Sequence, residues 1–266
     1  MPDLNTGDLT LHYQVTGQGP ALILIGGLGM PLQGWSMQAR TLSKTFTVVR
    51  LDNRGCGRST IPDDPYTVTD MAKDVLVLMD HLALDRAHVM GISMGGFIAL
   101  ELALLAPERI IALILAHTAP RIPPSARQRM RLWQTLMDEG ASDQVMALEQ
   151  LLWVFPEKAM EKESTANALL STLIQGRQNQ SPTGFSGQVL ACDHFDVTEK
   201  LADIPAPALL ISSVDDISIP LTYTRMLEAL PGFQKTRVFD IGGHATHLIH
   251  ADAFNRAVLQ FLAPLS

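Results

Sequence analysis

The segment His88–Arg109, HVMGISMGGFIALELALLAPER, changes character at one serine. Before it, Ala87–Met90 reads as the end of a buried strand. After it, Met94–Leu105 carries apolar residues at helical spacing and almost no charge. Ser93 therefore sits at a strand-to-helix corner, flanked at two residues on either side by Gly91 and Gly95. A side chain lifted out of such a corner strains its own backbone. The glycines let the departing helix cross close to neighbouring strands. The result is a hydroxyl at a helix N-terminus, where free backbone N–H groups can stabilise negative charge. The G-x-S-x-G pattern alone is weakly specific; its strand–corner–helix setting raises that specificity. The plainer use of such a serine is to cap a helix.

Working outward, the first half of the chain alternates β-rich and helical runs. Leu9–Thr16 alternates apolar and polar residues, as a half-exposed strand does, whereas "ALILI" (Ala21–Ile25) and "IIALILA" (Ile110–Ala116) are wholly apolar. Val68–Leu82 has helical spacing, with Thr69 or Asp70 as its predicted cap. This rhythm predicts an α/β fold with a mostly parallel central sheet flanked by helices. It breaks after His117 and resumes with strands at Ala206–Ser213 and Lys235–Ile241, then a final helix from about His247 to Phe261. The expected division is a core of residues 1–118 and 204–266 and an inserted helical lid of residues 119–203.

Composition limits the function classes. The chain has 266 residues, 47% hydrophobic and 18% charged, which supports a packed core. A net charge of −7 argues against a nucleic-acid partner, since phosphate neutralisation calls for a basic surface. No run approaches the ~20 apolar residues needed to span a membrane. Cys56 and Cys192 do not read as a disulfide framework, and no signal peptide is evident, so a reducing, cytoplasmic setting is expected. The state of association, monomer or homodimer, stays open.

A serine hydroxyl needs a base. Of the eight histidines, His12, His81, His88 and His117 have plain structural readings. His244 follows Gly242-Gly243 on a loop directly after a predicted strand, on the same sheet edge as Ser93, and is the expected base; His247 is its rival. The acceptor for that base comes from "LLISSVDDISIP", which places Asp215 and Asp216 past another strand. Adjacent side chains point in different directions, so only one should reach His244. The expected oxyanion donors are the backbone N–H groups of Met94 and of Leu28, the latter in "ILIGGLGMP", where Gly26-Gly27 allow close approach. "RLDNRGCGRST" reads as a structural loop with Asp52 and Arg54 in local polar bonds, and lacks the lysine–serine ending of a phosphate loop. No metal ligand set is apparent from spacing, and no cofactor is implied.

With these pieces in place, the sequence resembles the α/β-hydrolase superfamily over nearly its full length. "GISMGG" looks like its nucleophile elbow, "DNRGCGRS" is similar to its D-x-R-G-x-G-x-S loop, and "SSVDDISIP" to its acid loop. An aspartate four residues before a proline selects Asp216, before Pro220. "GGHATHLIHADAFNRAVLQFL" resembles the final histidine loop and helix and selects His244. The chain departs from the common pattern in three places. Gly26-Gly27 replaces His-Gly, which should loosen or reshape the oxyanion loop. Ile249 replaces a glutamate, and "AHTAP" leaves the alternative acid position without a carboxylate. The resemblance implies a serine hydrolase acting on a small-molecule ester or lactone through Ser93, Asp216 and His244. Enol-lactone hydrolysis, carbon–carbon hydrolysis and cofactor-free haloperoxidase chemistry are alternatives for the same triad. A small-ligand receptor is the non-enzymatic one. Trp35, Trp133 and Trp153 are expected at the substrate. Arg121, Arg127, Arg129 and Arg131 are expected on a solvated helix face, the alternative being guidance of an anionic substrate.

Overall fold

A computed structural model describes residues 3–7, 9–178 and 180–265. Among the described residues, eight strands form one sheet: β1 (Asp3–Asn5), β2 (Thr10–Thr16), β3 (Ala21–Ile25), β4 (Thr47–Leu51), β5 (Ala87–Ile92), β6 (Ile110–Ala116), β7 (Ala208–Ser213) and β8 (Phe233–Phe239). Their spatial order is β1-β2-β4-β3-β5-β6-β7-β8, antiparallel at β1/β2 and β2/β4 and parallel from β4 onward. The apolar runs account for this. Every residue of β3, β5 and β7 is buried, which requires helices on both faces of the sheet. Full burial of each Leu or Ile is worth roughly 1.5–3 kcal/mol, so these central strands cannot be stable at an edge.

Helices α1 (Ser36–Leu42) and α11 (Ala251–Leu262) cover one face, where Trp35, Phe46 and Phe254 are almost wholly enclosed. On the other face lie α2 (Val68–His81) and α3 (Met94–Leu105). α2 starts at a reciprocal cap: the Thr67 side chain accepts from Asp70 N–H and the Asp70 side chain from Thr67 N–H. The cap is therefore Thr67 in place of the expected Thr69 or Asp70, because the residue with extended backbone is the one before the helix.

Between β6 and β7 the described residues make five α-helices, α4 (Pro124–Asp138), α5 (Asp143–Val154), α6 (Glu157–Met160), α7 (Glu163–Gln178) and α8 (Pro182–Asp193). α9 (Leu221–Thr224) follows the acid loop. The expected final helix is two pieces, α10 (Thr246–Ile249) and α11, because the backbone leaves helical geometry at His250 (φ −123°, ψ 40°). β1 was not expected: three residues carry too little pattern to read. The last strand starts two residues earlier than expected and ends at Phe239.

Parallel strands all end on one edge of the sheet. The loops after β3, β4, β5, β6, β7 and β8 therefore converge there, and each singled-out loop is among them.

Candidate active site

Ser93 occupies the corner between β5 and α3 with φ 55° and ψ −121°, a conformation costly for a residue with a Cβ. Its backbone is held on both sides. Ser93 N–H donates to Ala116 O (2.9 Å), and Ser93 O accepts from Gly96 N–H and Thr118 Oγ1 (both 2.9 Å). The glycines are obligatory for the reason anticipated. A Cβ at Gly91 would overlap the Gly95 carbonyl, and one at Gly95 would overlap the Ile25 carbonyl. Ser93 stands at the N-cap position, yet its hydroxyl accepts no N–H from α3. It is not a structural cap, and its oxygen is left for other work.

The two aspartates after β7 divide as the geometry of adjacent residues requires. Asp215 Oδ1 accepts from Gly242 N–H (3.0 Å) and Gly243 N–H (2.9 Å), clamping the loop that carries His244. Asp216 turns the other way, 3% exposed, and its Oδ2 accepts from His244 Nδ1 at 2.8 Å. Asp216 Oδ1 accepts from Ser218 N–H (2.8 Å) and Ile219 N–H (2.9 Å). Burial alone would raise its pKa; the neighbouring histidines and their hydrogen bonds outweigh that and hold the carboxyl well below the usual range, hence ionised. An ionised Asp216 can only accept, so His244 carries its proton on Nδ1 and presents the Nε2 lone pair.

His117 is the residue the sequence reading missed. It lies just past β6 at φ 47°, wholly buried, and its Nδ1 meets the same Asp216 Oδ2 at 2.7 Å. Its Nε2 is 2.6 Å from Thr246 Oγ1. The interacting atoms of His117, Asp216 and His244 all lie within 4.8 Å of one another, across 127 residues of sequence from 117 to 244. Only the positive φ of a strand-end residue could have hinted at it, and that is not visible in the letters. The rival base, His247, also lines the cavity that Ser93 and His244 face, but its ring packs on Trp35 (5.5 Å between centroids) and Phe254, it does not meet Asp216, and burial pushes its pKa down to about 3.

Beside Ser93 runs the loop after β3. A Cβ at Gly27 would stand 3.3 Å from Ser93 Cβ, so the backbone at Gly27–Leu28 passes against the serine. The Met94 N–H belongs to the first turn of α3, whose donors have no partners within the helix. The loop is not slack despite lacking the histidine. Asn53 Nδ2 donates to Gly26 O (3.0 Å), Gly29 N–H to Gln188 Oε1 (2.8 Å) and Leu32 N–H to Asp52 Oδ1 (2.7 Å). Asp52 and its neighbours thus form the structural loop expected of them, with Arg54 paired to Asp74 through two bonds of 2.7 and 2.6 Å.

Ser93 and His244 both open into a cavity of about 310 Å³, walled by Leu28, Met94, Phe97, Trp133, Phe155 and Leu173 among others. Of the three tryptophans expected at the substrate, Trp133 lines the cavity. Trp35 does not: it is fully enclosed in the core beneath α1 and α11, where a large ring fills space between helices. Trp153 is also off the cavity, stacked under the Arg129 guanidinium at 3.5 Å. Arg129, expected on a solvated face, is 5% exposed and lines the cavity, because α4 turns that face inward. Burial pulls its pKa down to about 10. It donates to Ser218 Oγ (3.2 Å) and Ile217 O (3.3 Å). Arg129 and Arg177 are the charged side chains on the described wall, which holds no carboxylate.

A model of the alpha/beta hydrolase fold matches residues 20–251. A protein of Caulobacter sp. (strain K31) named "Putative carbamate hydrolase RutD" is 36% identical over 95% of this chain and 96% of its own. The enol-lactonase from Burkholderia xenovorans LB400 superposes with a TM-score of 0.88 at 30% identity, covering 98% of this chain and 100% of that one. A hydrolase from Pseudomonas aeruginosa PA01 gives the same TM-score and identity, over 98% and 97%. By sequence, fold and the elbow at Ser93, the chain belongs to the alpha/beta hydrolase fold family.

Proposed function

We propose that the protein is a serine hydrolase that cleaves a carboxylic ester or lactone through Ser93, His244 and Asp216. One observation carries this reading. The His244 ring is fixed by Asp216 at Nδ1, and both His244 and an uncommitted Ser93 hydroxyl face one largely apolar cavity. Ser93 Oγ attacks the substrate carbonyl as His244 Nε2 takes its proton. The Leu28 and Met94 N–H groups hold the oxyanion. His244 then returns the proton to the leaving oxygen, and an acyl group remains on Ser93. Water, deprotonated by His244, releases the acid and restores the serine. Asp216 holds the tautomer and stabilises the imidazolium throughout.

The helices between β6 and β7, taken as a lid, set the substrate class. Their apolar side chains suit a small to medium acyl or lactone ring. Arg129 and Arg177 on the same wall favour a substrate with an anionic or strongly polar end. A second reading, carbamate hydrolysis, is supported by the name of the 36% identical relative, since a carbamate carbonyl offers the same electrophile.

A fluorophosphonate probe should modify Ser93 alone, located by peptide mass spectrometry. Absence of labelling in folded protein would reject the hydrolase and favour a ligand-binding receptor. Rates on short p-nitrophenyl esters, on lactones with and without a carboxylate, and on carbamates then separate the substrate readings. Preference for carbamates by tenfold or more would overturn the ester and lactone assignment.

A further inference from the structure

Asp216 serves two histidines. Its Oδ2 accepts from His244 Nδ1 (2.8 Å) and from His117 Nδ1 (2.7 Å), while Oδ1 takes two backbone N–H groups. A carboxylate offers about four lone-pair sites, so this one is saturated with donors. The two rings meet edge to face, 5.2 Å between centroids. His117 is wholly buried and is not part of the cavity wall, so it cannot touch substrate. Its protonation follows from its partners. Ionised Asp216 requires a proton on Nδ1. Thr246 Oγ1 at 2.6 Å can then donate its hydroxyl hydrogen to the bare Nε2. A neutral ring with both nitrogens satisfied is thereby fixed.

We propose that His117 is a positioning residue for the reaction: by sharing the Asp216 carboxylate it weakens the pull of that carboxylate on protonated His244 and braces the acid loop against the base loop. Each donor to a carboxylate stabilises its negative charge and leaves less for the remaining partner. With His117 in place, His244 gives up its proton more readily and is available as a base at lower pH. The second effect is mechanical. His117 joins the end of β6 to Asp216 after β7 and to Thr246 in α10, two residues beyond His244. Burial acts in the same sense, holding the His117 ring neutral by disfavouring its charged form. The other charged or titratable groups acting on this cluster are Asp215 on the acid loop, Arg129 on α4 and His247 on α10. All three remain when position 117 alone is changed.

The inference rests on the serine-hydrolase reading for its kinetic effect but not for its structural one, and two measurements keep these apart. In the unaltered protein with ¹⁵N-labelled histidine, NMR at neutral pH should show both His117 and His244 protonated at Nδ1. A His117 carrying its proton on Nε2, or doubly protonated, would overturn the proposal whether or not the chain is active. For kinetics, His117→Asn keeps an N–H donor near the Nδ1 position, and His117→Leu has similar size but no donor. The acid limb of kcat/KM against pH on a p-nitrophenyl ester should move up by roughly 0.5–1 pH unit in H117L and by roughly a third of that or less in H117N. H117L should therefore lose about 3- to 10-fold more activity at pH 6 than at pH 8.5. Equal losses at every pH in both variants would mean a purely structural residue and would overturn the proposal. If Ser93 takes no probe while the NMR result holds, the hydrolase reading fails and the shared carboxylate stands.

Discussion

On the sheet side of the cavity, His117 and Asp216 are 0% and 3% exposed, and both ring nitrogens of His117 and both carboxylate oxygens of Asp216 are hydrogen-bonded. On the helical side, Leu132, Leu148 and Leu152 are 45%, 40% and 58% exposed, and α7 packs mainly on α5 and α6. The two sides also differ in their glycines. Gly95 touches the Ile25 carbonyl so closely that no Cβ fits, whereas a Cβ at Gly176, in α7 on the cavity wall, would meet nothing within 4 Å. One side tolerates almost no change of shape, and the other tolerates a good deal. The contrast matches the two tasks: bond making needs atoms placed to within a fraction of an ångström, while holding a substrate needs only a complementary wall.

The helical side is nevertheless sewn to the sheet side at chosen points. Val154 O, at the end of α5, accepts from His244 N–H (2.8 Å), and Trp153 O accepts from Ser218 Oγ (2.7 Å). Buried Gln188 of α8 bridges Gly29 N–H and Arg54 O, both at 2.8 Å. α7 packs on α5 and α6, with Arg177 ion-paired to Asp143 of α5 (3.7 Å).

The sharpest way to break the contrast is at the reacting groups. Ser93→Ala should lower kcat on a cleaved substrate by 10⁴-fold or more, and Asp216→Asn by on the order of 10⁴-fold because Asn can favour the wrong His244 tautomer. Asp215→Asn, which only loosens a clamp on Gly242 and Gly243, should cost on the order of 10-fold. Comparable losses at 215 and 216 in steady-state kinetics would erase the distinction between them. Next in size is the glycine pair. Gly95→Ala should destabilise by more than about 3 kcal/mol or yield no soluble protein, since backbone must move. Gly176→Ala should stabilise by about 0.5–1 kcal/mol, the usual gain for Ala over Gly inside a helix. Urea unfolding midpoints decide it; a destabilised G176A would mean α7 is as constrained as the elbow.

A smaller effect tests the wall itself. Trp133→Ala should raise KM about 10-fold for the bulkiest substrate and change kcat little, which would sharpen the assignment of selectivity to α4; an equal fall in kcat for all substrates would break it. The smallest is a pH effect on stability. Burial pushes the pKa of His88 down to about 4 and that of His247 to about 3. Both lie below the ordinary value of about 6.5, so the unfolded chain binds the protons first, and stability is lost as pH falls from about 6.5 through those folded values. Tm should drop by roughly 10 °C between pH 7 and pH 5, with a shallower slope in His88→Leu. Changes in α4–α8, whose helices hold no buried histidine among the described residues, should leave the slope alone.

Much of the site could be read from the letters because its signals are local. The elbow depends on glycines two residues from Ser93, and the acid and base lie in loops directly after apolar runs, so strand polarity alone sends all three to one edge. Physics in the sequence could not choose between Asp215 and Asp216, since direction at a turn depends on backbone angles. The resemblance chose Asp216 by its distance from Pro220; in the structure Asp216 meets His244 Nδ1 while Asp215 holds Gly242 and Gly243. Trp35 and Trp153 misled because a large ring suits a core or an arginine stack as well as a substrate wall.

What the sequence determined by itself was the order of elements, the parallel sheet and the corner at Ser93, all products of interactions among near neighbours. Tertiary structure alone decided that His117 meets Asp216 across 99 residues, that Arg129 faces inward and that α5 ends on the base loop. Those contacts join segments whose separation is set by how the whole chain crosses over the sheet, and no local pattern of residues encodes such a distance.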